Sequence, residues 1–163
     1  AERHFYFSLF APLLAVSPDG ETVVATGGLG GEGTGTVAYA AASGTRRWGV
    51  ESKDTSYRFS SIIGFYPTLA MSPDGDRVFV TNPRGMGFST TSYVTMAYDL
   101  ASGVADWTAR FTTNVSYAAG IAASVDGERV FVTGITKTLD TFVGTSAYTR
   151  DSFDIQTLAY AAS

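Results

Sequence analysis

The feature that most constrains this chain is an internal repeat. Leu14-Ala15-Val16-Ser17-Pro18-Asp19-Gly20 returns as Leu69-Ala70-Met71-Ser72-Pro73-Asp74-Gly75. It returns again as Ile121-Ala122-Ala123-Ser124-Val125-Asp126-Gly127, at spacings of 55 and then 52 residues. A period of that size means one supersecondary unit stacked on copies of itself, because a single unit cannot bury its apolar face alone. Behind each copy runs an alternating segment: Glu21 to Thr26, Asp76 to Thr81, and Glu128 to Thr133. A third element follows as Thr36-Val37-Ala38-Tyr39, Thr95-Met96-Ala97-Tyr98 and Thr157-Leu158-Ala159-Tyr160, and a fourth carries Trp48 and Trp107.

Each unit reads as four short strands, since β-branched and aromatic residues dominate, the apolar period is two, and turn residues separate the runs. In Ser-Pro-Asp-Gly the proline presets φ, the aspartate tolerates the bridge region and the glycine accepts the left-handed conformation that closes a hairpin. Val125 takes the proline place in the third copy, which predicts a slightly looser turn. Ala42-Ser43-Gly44 and Ala101-Ser102-Gly103 form a second turn, from the third strand to the fourth. Four antiparallel strands per repeat of this length describe the blade of an all-β propeller.

A more specific likeness lies in Ala97-Tyr98-Asp99-Leu100-Ala101-Ser102-Gly103-Val104-Ala105-Asp106-Trp107. This stretch resembles the tryptophan-docking motif of pyrroloquinoline-quinone-type β-propeller repeats. Ala38 to Trp48 matches it too, with Ala40 where that family has aspartate. With the Ser-Pro-Asp-Gly turn and the Val-Phe-Val-Thr strand, the resemblance covers nearly all of the chain and extends to bacterial secreted seven-bladed-type repeats. It implies that Trp48, Trp107 and Asp99 staple blades together. A quinone site would need further acidic, asparagine and arginine ligands around a channel, and no matching set is visible.

The units predict blades over about 9–53, 54–113 and 114–163, the last completed by a strand formed by residues 1–8. The sequence stops on a third strand, whereas Ala1 to Ser8 resembles a fourth strand with Phe5 or Tyr6 in the tryptophan place. The expectation is therefore three blades permuted by one strand. Three blades are too few to close a ring, so other copies complete it: two or three chains in a ring, or a fibre where the rotation fails to close. The assembly strand carries Phe5, Tyr6 and Phe7, and it pairs in trans beside Thr157, Ala159 and Tyr160. The alternative is that the chain is a piece of a longer propeller.

Composition removes much familiar chemistry. In 163 residues there is no cysteine and one histidine, His4, which excludes disulfides, thiolate nucleophiles and any site needing two histidines from one chain. A net charge of −4 with scattered charges leaves no footprint for nucleic acid. No run approaches the ~20 apolar residues of a membrane span.

Gly28-Leu29-Gly30-Gly31-Glu32-Gly33 fits a dinucleotide-binding fingerprint literally, with Glu51 downstream. That fingerprint needs a helix whose amides face the pyrophosphate, and the segment that follows is a repeat-matched strand, so the glycines read as a connection. The connections between second and third strands differ most: Gly27 to Gly35, Asn82 to Ser92, and Gly134 to Asp154. Variation on a fixed scaffold is where binding sits. The third is a candidate ligand loop, with Asp140, Arg150, Asp151 and Asp154 as its charged residues beside Lys137, Phe142, Tyr148 and Phe153. Its carboxylates suit Ca²⁺ by type but lack the alternating spacing of a calcium loop, so they read as solvated charge and no cofactor is expected. Asp19, Asp74 and Asp126 recur at one turn position and are structural. Arg46-Arg47 reads as edge-strand charge, and Asn114-Val115-Ser116 matches a glycosylation pattern.

The reading that follows is a non-enzymatic, extracellular or cell-surface propeller that self-assembles as a scaffold or binding module. The alternatives are a quinoprotein-type enzyme and a carbohydrate-binding propeller.

Overall fold

The computed structural model describes residues 13–29, 33–52, 57–58, 68–86, 92–112, 116–142 and 148–163. All regular structure among them is strand. Alternating apolar positions give β1 (Leu13–Val16), β2 (Thr22–Leu29), β3 (Gly33–Ala40) and β4 (Arg46–Ser52), an antiparallel sheet in the order β1-β2-β3-β4. The second sheet repeats it with β6 (Thr68–Met71), β7 (Arg77–Met86), β8 (Ser92–Asp99) and β9 (Ala105–Thr112). The third holds β10 (Ser116–Ala123), β11 (Arg129–Phe142) and β12 (Tyr148–Ala161) in the order β10-β11-β12.

Two departures from four uniform strands per unit stand out. A short strand, β5 (Tyr57–Arg58), runs parallel to β7 at Gly85 and Met86, beyond the stretch of β7 that β6 occupies. The connection expected from Gly134 to Asp154 is largely paired, because β11 and β12 stay in register from Arg129↔Ala161 out to Phe142↔Tyr148. Its run Ile135, Thr136, Thr138, Leu139, Thr141 and Phe142 is rich in β-formers, which favours extending the ladder over a loop.

The turns explain the repeat at atomic level. In each Ser-x-Asp-Gly turn the serine does more than its sequence position suggests. Ser17, Ser72 and Ser124 each accept on Oγ from the backbone N–H five residues on, at 2.9 Å, while their hydroxyls donate to Asp19, Asp74 and Asp126. Each aspartate also accepts the N–H two residues ahead, of Glu21, Asp76 and Glu128. Gly20, Gly75 and Gly127 sit at φ of 76°, 79° and 74°, a region that only glycine enters without strain. Val125 leaves the third turn's bonding unchanged.

Two apolar clusters lie between the sheets. Val24, Ala38 and Trp48 of the first meet Val78, Val80, Val94, Met96, Tyr98 and Leu100 of the second. Phe79, Tyr93 and Ala97, on the other face of the second, meet Ala118, Val130, Val132 and Ala162 of the third. A buried threonine pair crosses β2 to β3 (Thr26 and Thr36, 3.1 Å) and β7 to β8 (Thr81 and Thr95, 3.0 Å), and Thr157 donates to Thr133 at 3.2 Å in the third sheet.

Candidate functional site

The joints between sheets are where Trp48, Trp107 and Tyr160 lie, with Asp99 at the turn beside the first. Trp48 on β4 donates from Nε1 to the Leu100 carbonyl at 2.7 Å and packs on Tyr98 with ring centres 6.4 Å apart. Trp107 on β9 repeats this one step along, with Nε1 3.4 Å from the Ala162 carbonyl and its ring 6.0 Å from Tyr160 and from Phe79. Each tryptophan thus reaches from the last strand of one sheet to the first residue after the third strand of the next. A bulge aims it: Ala38 pairs with Trp48 but Tyr39 with Arg46, and Ala97 pairs with Trp107 but Tyr98 with Ala105. The extra residue re-aims the strand. Those bulge residues reach across the third strand to the second, Arg47 donating to Thr22 Oγ1 at 2.8 Å and Asp106 accepting from Arg77 at 2.7 Å.

Asp99 acts on its own turn. It accepts from the Ser102 N–H at 2.7 Å and the Ser102 hydroxyl at 2.6 Å, so it shapes the turn that presents the Leu100 carbonyl to Trp48. These two bonds hold its carboxyl below the usual carboxylate range. Asp19, Asp74 and Asp126 are lowered in the same way, first by the serine hydroxyl and then by a backbone N–H. Burial pushes Tyr98 up to about 12 and raises Tyr93 and Tyr160 as well.

Of the assembly residues, Phe5, Tyr6 and Phe7 lie outside the described residues. Tyr160 is turned to Trp107 and belongs to the joint within the chain, whereas Thr157 and Ala159 are exposed on β12. The candidate ligand residues are strand residues: Asp140 stands opposite Arg150, Asp151 opposite Leu139, and exposed Asp154 opposite Thr136. Among the described residues no three acids or histidines gather as a metal site would require. Gly28 lies in β2 and Gly33 in β3, paired through Leu29↔Gly33, and Glu51 pairs with Gly35, so both ends of the glycine-rich segment are strand and no helix follows it. A depression beside β12 is lined by Glu128, Arg129, Ala159, Tyr160 and Ala161.

The sequence places Gly103 in a turn and Leu100 in the docking stretch, but not the fact that both receive Trp48 of the preceding sheet. A Cβ on Gly103 would stand 2.6 Å from Trp48 Cδ2.

No protein-family model matches the chain, and no curated protein does. Among solved structures it is similar to prolyl oligopeptidase B from Galerina marginata, at 14% identity and a TM-score of 0.50, over 85% of this chain and 22% of that one. It is also similar to a TolB candidate from Agrobacterium tumefaciens (19% identity, TM-score 0.45, 72% of this chain and 36% of that one). A 6-phosphogluconolactonase candidate from Bacteroides fragilis matches at 14% identity and a TM-score of 0.49, over 93% of this chain and 40% of that one. The chain therefore spans well under half the length of these structures. At 14% identity the likeness to the prolyl oligopeptidase speaks to the fold alone, which is all-β and β-propeller-like.

Proposed function

We propose that the chain is a three-bladed, non-enzymatic β-propeller segment, extracellular or at the cell surface, that serves as a scaffold or binding module and self-assembles through its terminal strands. In this reading residues 1–8 of one copy add a fourth strand beside β12 of another, as β4 lies beside β3 and β9 beside β8. The observation that supports it is the edge of β12: among the described residues its only strand partner is β11, while β3 and β8 are covered on both sides. An uncovered strand of 14 residues presents a row of backbone donors and acceptors that templates pairing with another chain. Association costs an estimated 4 to 15 kcal/mol. Hydrogen bonds at about 1 kcal/mol net each and two large aromatic side chains at ~1.5 to 3 kcal/mol each offset part of it, and sheet-on-sheet packing supplies the rest. The test is the mass in solution of the full chain against a chain lacking residues 1–8.

A further inference from the structure

The two outermost sheet faces are the two halves of a joint that the chain makes twice internally. Phe131 and Ala159, on the face of the third sheet turned away from the second, occupy the repeat positions of Phe79 and Ala97, which are buried against the third sheet. Ile155 occupies the position of Tyr93, buried at the same joint. In the third sheet these positions are open: Phe131 is 39% exposed and Ile155 84%.

The opposite end carries the matching half. Leu14 and Val16 on β1 stand where Leu69 and Met71 pack against the first joint, and they are 66% and 50% exposed. Tyr39, Ala41 and Gly44 repeat Tyr98, Leu100 and Gly103, the cradle that holds Trp48. Around Gly44, whose φ is +67°, a Cβ would meet nothing within 4 Å among the described residues. Tyr39 is half-buried and Val37 higher on the same face is buried, while Leu14, level with Val37 through Ala25, stays open on β1. The turns step in the same order: a Cβ on Gly75 would lie 3.5 Å from Pro18 and one on Gly127 4.0 Å from Pro73, whereas Gly20 meets nothing. Val125, at the corresponding third position, is 95% exposed.

We propose that the first sheet of one copy docks on the third sheet of a second copy, head to tail, through Leu14, Val16 and Tyr39 on one side and Phe131, Ile155 and Ala159 on the other. The occupant is a second copy because each face is equivalent to one that already packs on its counterpart inside this chain. A joint between unlike faces is heterologous and either closes into a ring or propagates. This inference rests on the self-assembly reading and adds the faces, their pairing and their polarity to it.

The test uses the full chain with Leu14→Asp or Ile155→Asp. Both side chains are exposed, and far-UV spectra check that the sheets stand. Sedimentation should find the wild type assembled, each variant alone monomeric, and an equal mixture of the two forming a two-chain species, since each variant keeps the face that the other lacks. A wild type that stays monomeric overturns the self-assembly reading and this inference with it. An assembled wild type whose variants keep its mass, or whose mixed variants stay monomeric, overturns the head-to-tail joint alone. Should either aspartate variant misfold, Leu14→Thr and Ile155→Thr carry the same comparison, with the same outcomes read as a weakened rather than lost association.

Discussion

The indole of Trp48 occupies the space that a side chain on Gly103 would need, at 2.6 Å from the place of its Cβ, while donating to the carbonyl of Leu100 at 2.7 Å. Gly103 is therefore fixed twice, by a φ of +73° and by the ring against it. Gly44, at φ +67°, is fixed only once.

That difference predicts an asymmetric pair. Both Gly44→Ala and Gly103→Ala incur the left-handed penalty of roughly 1 to 2 kcal/mol. Gly103→Ala adds overpacking against Trp48, typically 1 to 3 kcal/mol more. Urea midpoints should fall further for Gly103→Ala, and equal midpoints would refute the cradle.

The two tryptophans are not equivalent. Trp48 is buried, whereas Trp107 is half-buried and its N–H bond is longer, at 3.4 Å. Trp48→Ala should cost about 3 to 5 kcal/mol, the range for emptying a large aromatic site, and Trp107→Ala less. Trp48→Phe, which keeps a ring but orphans the Leu100 carbonyl, should cost about 1 to 3 kcal/mol. Equilibrium unfolding orders the three.

Tyr93 and Asn82 are buried, and among the described residues neither the Tyr93 hydroxyl nor either Asn82 amide atom has a partner. Removing a buried polar atom that has no partner relieves its desolvation cost. Tyr93→Phe, which keeps the ring contact with Phe111 at 5.1 Å, should hold or raise the melting temperature. A clear drop would mean that the hydroxyl has a partner in solution.

Stability should fall at both ends of the pH scale for different reasons. Asp19, Asp74, Asp99 and Asp126 have folded-state values below the ordinary 3.8, so their contribution is present above that value and is lost as pH falls through the lowered ones. Tyr98 is raised from 10.0 to about 12, so its contribution is full below pH 10 and is lost between 10 and 12 as the unfolded phenol ionises first. Thermal melts across pH should show a plateau with both shoulders. Ser72→Ala, which removes the hydroxyl on Asp74, should soften the acid one.

The repeat was legible because its turns leave a chemical trace: a glycine at φ near +75° and an aspartate accepting two bonds must recur wherever the same hairpin does. Trp48 and Trp107 were legible as staples because the stretches that end in them resemble a tryptophan-docking motif. What they grip was not, since the acceptor is a backbone carbonyl, of Leu100 or Ala162, that any residue supplies. The serine's role was hidden behind proline, the more familiar turn former. The long β11–β12 hairpin was read as a loop because its charged residues, Asp140, Arg150, Asp151 and Asp154, masked the alternation between them.

The most direct test of the central claim is sedimentation of the full chain beside a chain lacking residues 1–8, at matched concentration and ionic strength. Self-assembly through the terminal strands predicts a multiple of the 17.2 kDa chain for the first, and for the second a monomer or aggregates grown from the β12 edge. A monomeric full chain, or a truncated chain with the same assembled mass, would contradict it.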